Sequence, residues 1–197
     1  MKHFVIGAAM ALLAAHSLAG HHEESEQPAT ADDAMMQAMQ AAATPGEAHQ
    51  MLAKGVGSFT AEMRMYMAPG AEPMVTQMDL ERSMDLDGRV MVEQWQGNVM
   101  GQPFEGRGRT GYDNVTKTFW STWSDNMSTA LLVFKGQADA DSEDLVMTAE
   151  GVHAVTGMPY KMRSVASRTD DGKELMTMYE DHGQGEFKTM SFVLTPK

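Results

Sequence analysis

Alternating apolar and polar residues dominate the chain after Gly57. From Phe59 to Met67 every second residue is apolar, a period of two that is typical of a strand with one buried face. Segments with the same alternation follow up to Leu194, separated by short polar or glycine-containing turns. No helical pattern interrupts them, so parallel crossover units are not expected. The pattern predicts about ten antiparallel strands that follow one another in sequence.

A meander of this length is expected to close or to stack, because open sheet edges invite aggregation. We therefore predict an all-β fold in which the antiparallel meander closes into a barrel, with a sandwich of two sheets as the alternative. Leu86-Asp87-Gly88-Arg89 is typical of a hairpin turn, since Asp-Gly tolerates positive φ angles. After the first two strands, the predicted strands are Val90–Asn98, Phe104–Tyr112, Thr118–Ser124, Leu131–Ala138, Leu145–His153, Tyr160–Arg168, Leu175–Tyr179 and Phe187–Leu194.

One or two short helices are predicted before the barrel. Asp32 and Asp33 offer N-cap chemistry for a first helix, and Thr44-Pro45-Gly46-Glu47 has the pattern of a second start. The predicted organisation is a helical segment at 32–55 followed by a barrel domain at 56–197.

The first residues have the pattern of a signal peptide. A basic start at Lys2 precedes the uncharged apolar run Phe4–Ala15, and Ser17 and Ala19 are small residues at a cleavage site. We predict that residues 1–19 are removed and that the protein is exported, to the periplasm or beyond, in a bacterium. Residues 20–31 are predicted to be a disordered acidic leader. Cysteine is absent, which excludes disulfides and thiolate chemistry.

The net charge of the chain limits the partners that it is expected to bind. The formal net charge is −12, and removal of Lys2 with the signal peptide makes it −13. Such a chain is repelled by nucleic acid and by anionic membrane surfaces. We expect no nucleic-acid partner and no membrane insertion after signal removal.

The 21 methionines allow three interpretations. Met63, Met65 and Met67, like Met176 and Met178, alternate on one face of a strand, where methionine fills a core in place of Leu and Ile. The second interpretation is a cavity whose flexible thioethers adapt to apolar ligands. The third is copper(I), a soft ion that accepts thioether ligands.

Motifs for serine hydrolases, zinc proteases, phosphate loops and dinucleotide binding are absent from the sequence. Asp125 is a candidate acid, although an Asp-Asn pair at such a place more often makes turn hydrogen bonds. His153 and His182 are predicted to be exposed or capping residues. We expect no cofactor.

The predicted mature N-terminus has a separate metal chemistry. Cleavage after Ala19 would leave Gly20, His21 and His22, whose amine, two amide nitrogens and imidazole can surround one metal in a plane. That square of four nitrogens suits copper(II), and its binding would be adventitious.

Several segments resemble a bacterial family known only as domain of unknown function family 1579. They are Thr44–His49, Leu52–Phe59, Met67–Met74, Pro103–Gly106, Gly111–Asp113, Ser121–Thr129 and Met178–Glu180. In addition, Gly57-Ser58-Phe59 is similar to the Gly-x-Trp opening of lipocalin-like barrels, in which the aromatic residue plugs one end. The resemblance implies a lipocalin-like barrel but no activity, because the family has none established and a fold is not a function.

The leading hypothesis is a non-catalytic barrel that binds a small apolar ligand. Its predicted lining residues are Trp95, Phe104, Tyr112, Trp123, Asp125 and Tyr179. One alternative is an enzyme that uses Asp125 with Arg107 or Arg109 in the barrel cavity. The other is a packed module that meets another protein of the cell envelope.

Overall fold

The computed structural model describes residues 30–139, 142 and 144–197. The predicted signal peptide, almost all of the predicted leader, and the predicted copper ligands Gly20, His21 and His22 lie outside the described residues.

Ten antiparallel strands form one closed barrel, and two short helices precede it. This confirms the predicted fold class. Each strand pairs with its neighbours in sequence, and β1 closes the barrel against β10. The elements are α1 Ala31–Ala43, α2 Glu47–Ala53, β1 Gly57–Met65, β2 Met74–Asp85, β3 Val90–Val99, β4 Gln102–Asp113, β5 Thr118–Asp125, β6 Leu132–Ala138, β7 Leu145–Val152, β8 Pro159–Arg168, β9 Glu174–Asp181 and β10 Glu186–Pro196.

The alternation that predicts the strands also defines the inside of the barrel. In β1, Phe59, Ala61 and Met63 are buried, while the residues between them are only partly buried. Pairing from Phe59 with Pro196 to Met65 with Met190 joins the first strand to the last. Closure satisfies the backbone groups of both outer strands, so the described barrel leaves no free sheet edge.

The predicted hairpin turn joins β2 to β3. Leu86 and Asp87 have φ angles of 50° and 53°, and Gly88 has a φ of 82°. Three successive residues with positive φ reverse the chain tightly, and aspartate and glycine adopt this conformation most easily.

Both helices are present, but their first residues differ from the prediction. Thr30, rather than Asp32 or Asp33, is the N-cap of α1, because its hydroxyl accepts from the Asp33 amide while the Asp33 carboxylate accepts from the Thr30 amide. Thr44 does not start α2. Its hydroxyl donates to the Gln40 carbonyl at the end of α1.

Side chains from the barrel hold the C-terminal end of α1. The Asn114 amide donates to the carbonyls of Ala41, Ala42 and Thr44, the last at 2.7 Å. The Arg89 guanidinium donates to the Ala43 carbonyl at 2.9 Å. Within the described part of the chain, neither helix has the length and apolar character needed to cross a membrane.

The barrel has two different ends. At the helix end, where β1 begins, α2 packs against β3 and β4. At the far end, five connections join the strands: 66–73, 100–101, 126–131, 153–158 and 182–185.

Candidate ligand cavity

A cavity of about 490 Å³ occupies the barrel interior. It lies between two groups of packed apolar side chains. One group comes mainly from β1, β2, β3 and β10, and the other from α2 and β5 to β8. The volume is in the range of small-molecule sites in proteins.

Methionine is the most frequent residue in the cavity wall. The lining methionines are Met51, Met63, Met65, Met78, Met91, Met147, Met162, Met176, Met178 and Met190. The strand register places Met190 directly between Met65 and Met178, so three thioethers are neighbours on one wall. Unbranched thioether side chains change rotamer easily, and such a wall can adapt to ligands of different shape. The copper(I) interpretation stays a prediction.

The helix α2 covers one end of the cavity. Met51 and Leu52 line the cavity from this helix, and Leu52 is buried among β-strand side chains. At the far end the lining side chains of Phe104, Trp123 and Leu132 remain partly exposed. The helix therefore covers part of one end of the cavity, and lining side chains at the other end are accessible to solvent.

A buried ion network lies at the helix end of the cavity. The Arg82 Nε donates to Glu93 at 2.6 Å, and its Nη1 donates to Glu174. Arg168 donates to the second oxygen of Glu174 at 2.5 Å. The Arg82 side chain is only 8% exposed. Two arginines and two glutamates thus neutralise each other within the wall of the cavity.

The network sets the ionisation of its members. Burial raises the pKa of Glu174, but attraction to Arg82 and hydrogen bonds from both arginines outweigh it and leave that pKa below its ordinary value. Burial lowers the pKa of Arg82, while the two glutamates raise it further than burial lowers it. Both groups are therefore charged at neutral pH.

Arg82 also covers the aromatic plug that the sequence predicts. Its guanidinium carbon lies 5.4 Å from the centre of the Phe59 ring, a cation–π geometry. Phe59 itself is buried at the helix end. The sequence gives no signal for this partner, because the two residues are adjacent only through the pairing of β1 with β2.

Aromatic side chains form another part of the cavity wall. Trp95 meets Trp123 and Phe192 edge to face, with ring centres 6.1 and 5.4 Å apart. Trp123 stacks on Phe104 at 6.4 Å. A Cβ atom at Gly106 would lie 2.4 Å from the Trp123 ring, so this ring position requires glycine on β4.

A few hydroxyl groups interrupt the apolar wall. Thr110 donates to Ser121 at 3.0 Å, and both residues are buried. Ser164 is also buried and lines the cavity from β8. Its hydroxyl forms no hydrogen bond with any residue that the structure describes. Ser164 is thus free to hydrogen-bond a ligand.

Four of the predicted lining residues border the cavity: Trp95, Phe104, Trp123 and Asp125. Tyr112 is directed inward at the end of β4, but the His49 and Phe119 rings pack against it at 5.9 and 4.8 Å, beneath α2. Tyr179 lies on the outer face of β9 under the Arg163 guanidinium, since alternation directs Met178 and Glu180 inward. Neither tyrosine is among the residues that line the cavity.

The polar residues that the enzyme alternative requires do not come together in the cavity. Asp125 accepts from the Trp123 indole at 2.8 Å and from the amides of Met127 and Ser128, so its carboxylate stabilises a turn. Arg107 and Arg109 lie on the outer face of β4, where they pair with Glu105 and Asp85. Inward positions of that strand belong to Gly106, Gly108 and Thr110, so neither arginine reaches the cavity.

His153 and His182 come together at the far end, with ring centres 5.6 Å apart. His182 also stacks on Tyr160 and lies 2.9 Å from the Glu180 carboxylate. Sequence spacing gives no hint of this proximity, because the two histidines belong to different connections. No group of three or more metal-ligating side chains of the His, Cys, Asp and Glu types occurs among the described residues.

Comparison with known proteins agrees with this fold. Among solved structures, the chain is similar to that described as "Crystal Structure of Rv2717c from M. tuberculosis", with 13% identity and a TM-score of 0.53. The match covers 78% of this chain and 99% of that one. At this identity the likeness shows the fold alone. No curated protein matches the chain.

One family model matches residues 44–195, which include α2 and the whole barrel up to the last residues of β10. The segments that resemble a known family in the sequence fall almost entirely within that range, and the resemblance is confirmed. The chain belongs to the family described as "Protein of unknown function (DUF1579)".

Proposed function

We propose that this protein is a non-catalytic barrel that binds one neutral, largely apolar small molecule in its interior. The observation that carries the proposal is a cavity of about 490 Å³ in which methionine and aromatic side chains make up almost half of the lining residues. Cavities of this size and polarity are the usual sites of small ligands.

The charges around the cavity favour a neutral ligand. At the helix end, Arg82 is already paired with two glutamates, and Lys54, which also lines the cavity, is exposed to solvent at the end of α2. At the far end, Asp125 and Glu180 line the cavity and would repel an anion that enters there. One hydroxyl or carbonyl group on the ligand would match the unpaired hydroxyl of Ser164.

Dodecanol is a suitable test ligand. Its binding can be measured by displacement of the neutral fluorescent probe N-phenyl-naphthylamine. We expect Ala166→Phe to weaken dodecanol binding about tenfold or more, because the added ring occupies the cavity that Ala166 lines. Val165→Phe is the matched control, since Val165 precedes Ala166 in β8, is directed outward and does not line the cavity.

A second substitution separates polar recognition from apolar burial. Ser164→Ala should weaken dodecanol binding about three- to tenfold, the value of one hydrogen bond, and leave binding of dodecane unchanged. If neither dodecanol nor dodecane displaces the probe, or if Ala166→Phe and Val165→Phe bind alike, the interior is not a ligand site.

A further inference from the structure

Exposed apolar side chains border the far end of the barrel. We define the apolar rim as Met67, Met100, Met127, Leu131, Val155 and Met158, whose exposed fractions range from 51% to 89%. They lie in four of the five connections at that end, next to the partly exposed cavity residues Phe104 and Leu132. Apolar side chains concentrated around an opening are characteristic of an interaction surface.

Charge is distributed very unevenly between the two ends. The five connections at the far end contain one charged residue, Glu72, and no lysine or arginine. The described residues of the four connections at the helix end are 86–89, 114–117, 139, 142, 144 and 169–173, and about half of them are charged. These charged residues are Asp87, Arg89, Lys117, Asp139, Asp144, Asp170, Asp171 and Lys173.

Carboxylates at the strand ends near the rim are largely occupied. Asp125 accepts three hydrogen bonds in its own turn. Glu186 pairs with Arg163 at 2.6 Å, and Glu180 contacts His182 at 2.9 Å. The connections of the far end therefore carry almost no charge of their own, although the Asp125 and Glu180 carboxylates lie on the adjoining strands, and the charged groups of the described connections cluster at the opposite end.

We propose that the apolar rim adsorbs to a neutral, zwitterionic lipid bilayer with the far end of the barrel facing the lipid. The rim residues belong to four separate loops at one end of the barrel. A fluid bilayer surface accepts such a set of flexible methionine, leucine and valine side chains without shape complementarity. The uncharged rim matches a surface that has no net charge.

The biological role of this adsorption rests on the proposed function, which is binding of an apolar ligand in the cavity. A ligand with low water solubility would pass between the lipid and the cavity without crossing water. The acidic helix end would point away from the bilayer, and anionic lipid would repel the chain as a whole.

Flotation with phosphatidylcholine vesicles tests the proposal. We expect the wild-type chain to float with the vesicles. Val155→Glu should lower the partition coefficient about tenfold, because it places a charge where an apolar side chain would enter the lipid. The matched control is Val115→Glu at the helix end, where Val115 is 72% exposed, and its partitioning should equal that of the wild type. Addition of phosphatidylglycerol to the vesicles should weaken adsorption.

Three results would overturn the proposal: no flotation of the wild type, equal loss in both variants, or stronger binding to phosphatidylglycerol vesicles. A dimer in sedimentation velocity that Val155→Glu dissociates would assign the rim to a second copy of the chain instead. Displacement of N-phenyl-naphthylamine by dodecanol is measured in parallel without vesicles. If displacement persists while flotation fails, the rim proposal is wrong and the proposed cavity function stands.

Discussion

Replacement of Arg82 by methionine is expected to destabilise the barrel by about 3–5 kcal/mol. The substitution keeps an unbranched side chain of similar length but removes the charge that Glu93 and Glu174 both contact. Those carboxylates are 14% and 13% exposed, so they would remain largely buried without their principal cation. The cation–π contact with Phe59 would be lost as well.

Arg107→Met is the matched control, because Arg107 lies on the outer face of β4 with 47% of its side chain exposed. Its cost should stay below about 1 kcal/mol, as for other exposed ion pairs. Urea unfolding of both variants measures the two free energies. Equal losses would show that the network at the helix end contributes no more than a surface ion pair.

The stabilities of the same two variants should depend differently on pH. In the wild type the pKa of Glu174 is below its ordinary value of 4.5, so its stabilising contribution is complete above that pH and is lost as the pH falls through the lowered value. Without Arg82, burial still raises the pKa of Glu174 and only Arg168 opposes it, so that pKa should lie above its wild-type value. The stability deficit of Arg82→Met relative to the wild type should therefore shrink on mild acidification, whereas the deficit of Arg107→Met should stay constant.

Truncation of Trp95 to alanine is the second large effect that we expect, again about 3–5 kcal/mol. Trp95 is 2% exposed and packs edge to face against both Trp123 and Phe192. Its removal would leave a void between the Trp123 and Phe192 rings. The surrounding strands are fixed by barrel closure, so the void cannot easily collapse.

Trp95→Phe separates packing from hydrogen bonding. Among the described residues, the Trp95 indole nitrogen has no hydrogen-bond partner, so phenylalanine sacrifices none. We expect this variant to lose less than about 1.5 kcal/mol. Thermal and urea unfolding measure the free energy of unfolding of both variants. If Trp95→Phe lost as much stability as Trp95→Ala, the loss would not come from the void.

The fold was largely predictable from the sequence for a local reason. Strand alternation has a period of two residues, and turns such as Asp87-Gly88 mark where each strand ends, so neighbours in sequence become neighbours in the barrel. The same alternation predicts the inward direction of Trp95, Phe104 and Trp123. Tyr179 directly follows Met178, whose side chain is directed inward, so alternation directs Tyr179 outward.

The residues that sequence reasoning missed depend on contacts across the barrel. Arg82 and Glu93 lie opposite each other across the predicted β2–β3 hairpin, but Glu174 comes from β9, and no spacing along the chain indicates that it meets them. Tyr112 has the predicted direction, but α2 brings His49 over it, and docking of a helix is invisible in the strand pattern. The two histidines at the far end meet for the same non-local reason.

Methyl-labelled methionine NMR during a dodecanol titration tests the central claim, an interior ligand site, most directly. The chain carries reporters in both environments. Met63, Met78, Met147 and Met162 line the cavity, whereas Met35, Met36 and Met39 on α1 are exposed. The account predicts saturable shifts of the cavity methyl signals at one dodecanol per chain, with the α1 signals unchanged. Cavity signals that do not move, or shifts confined to the exposed methionines, would contradict it.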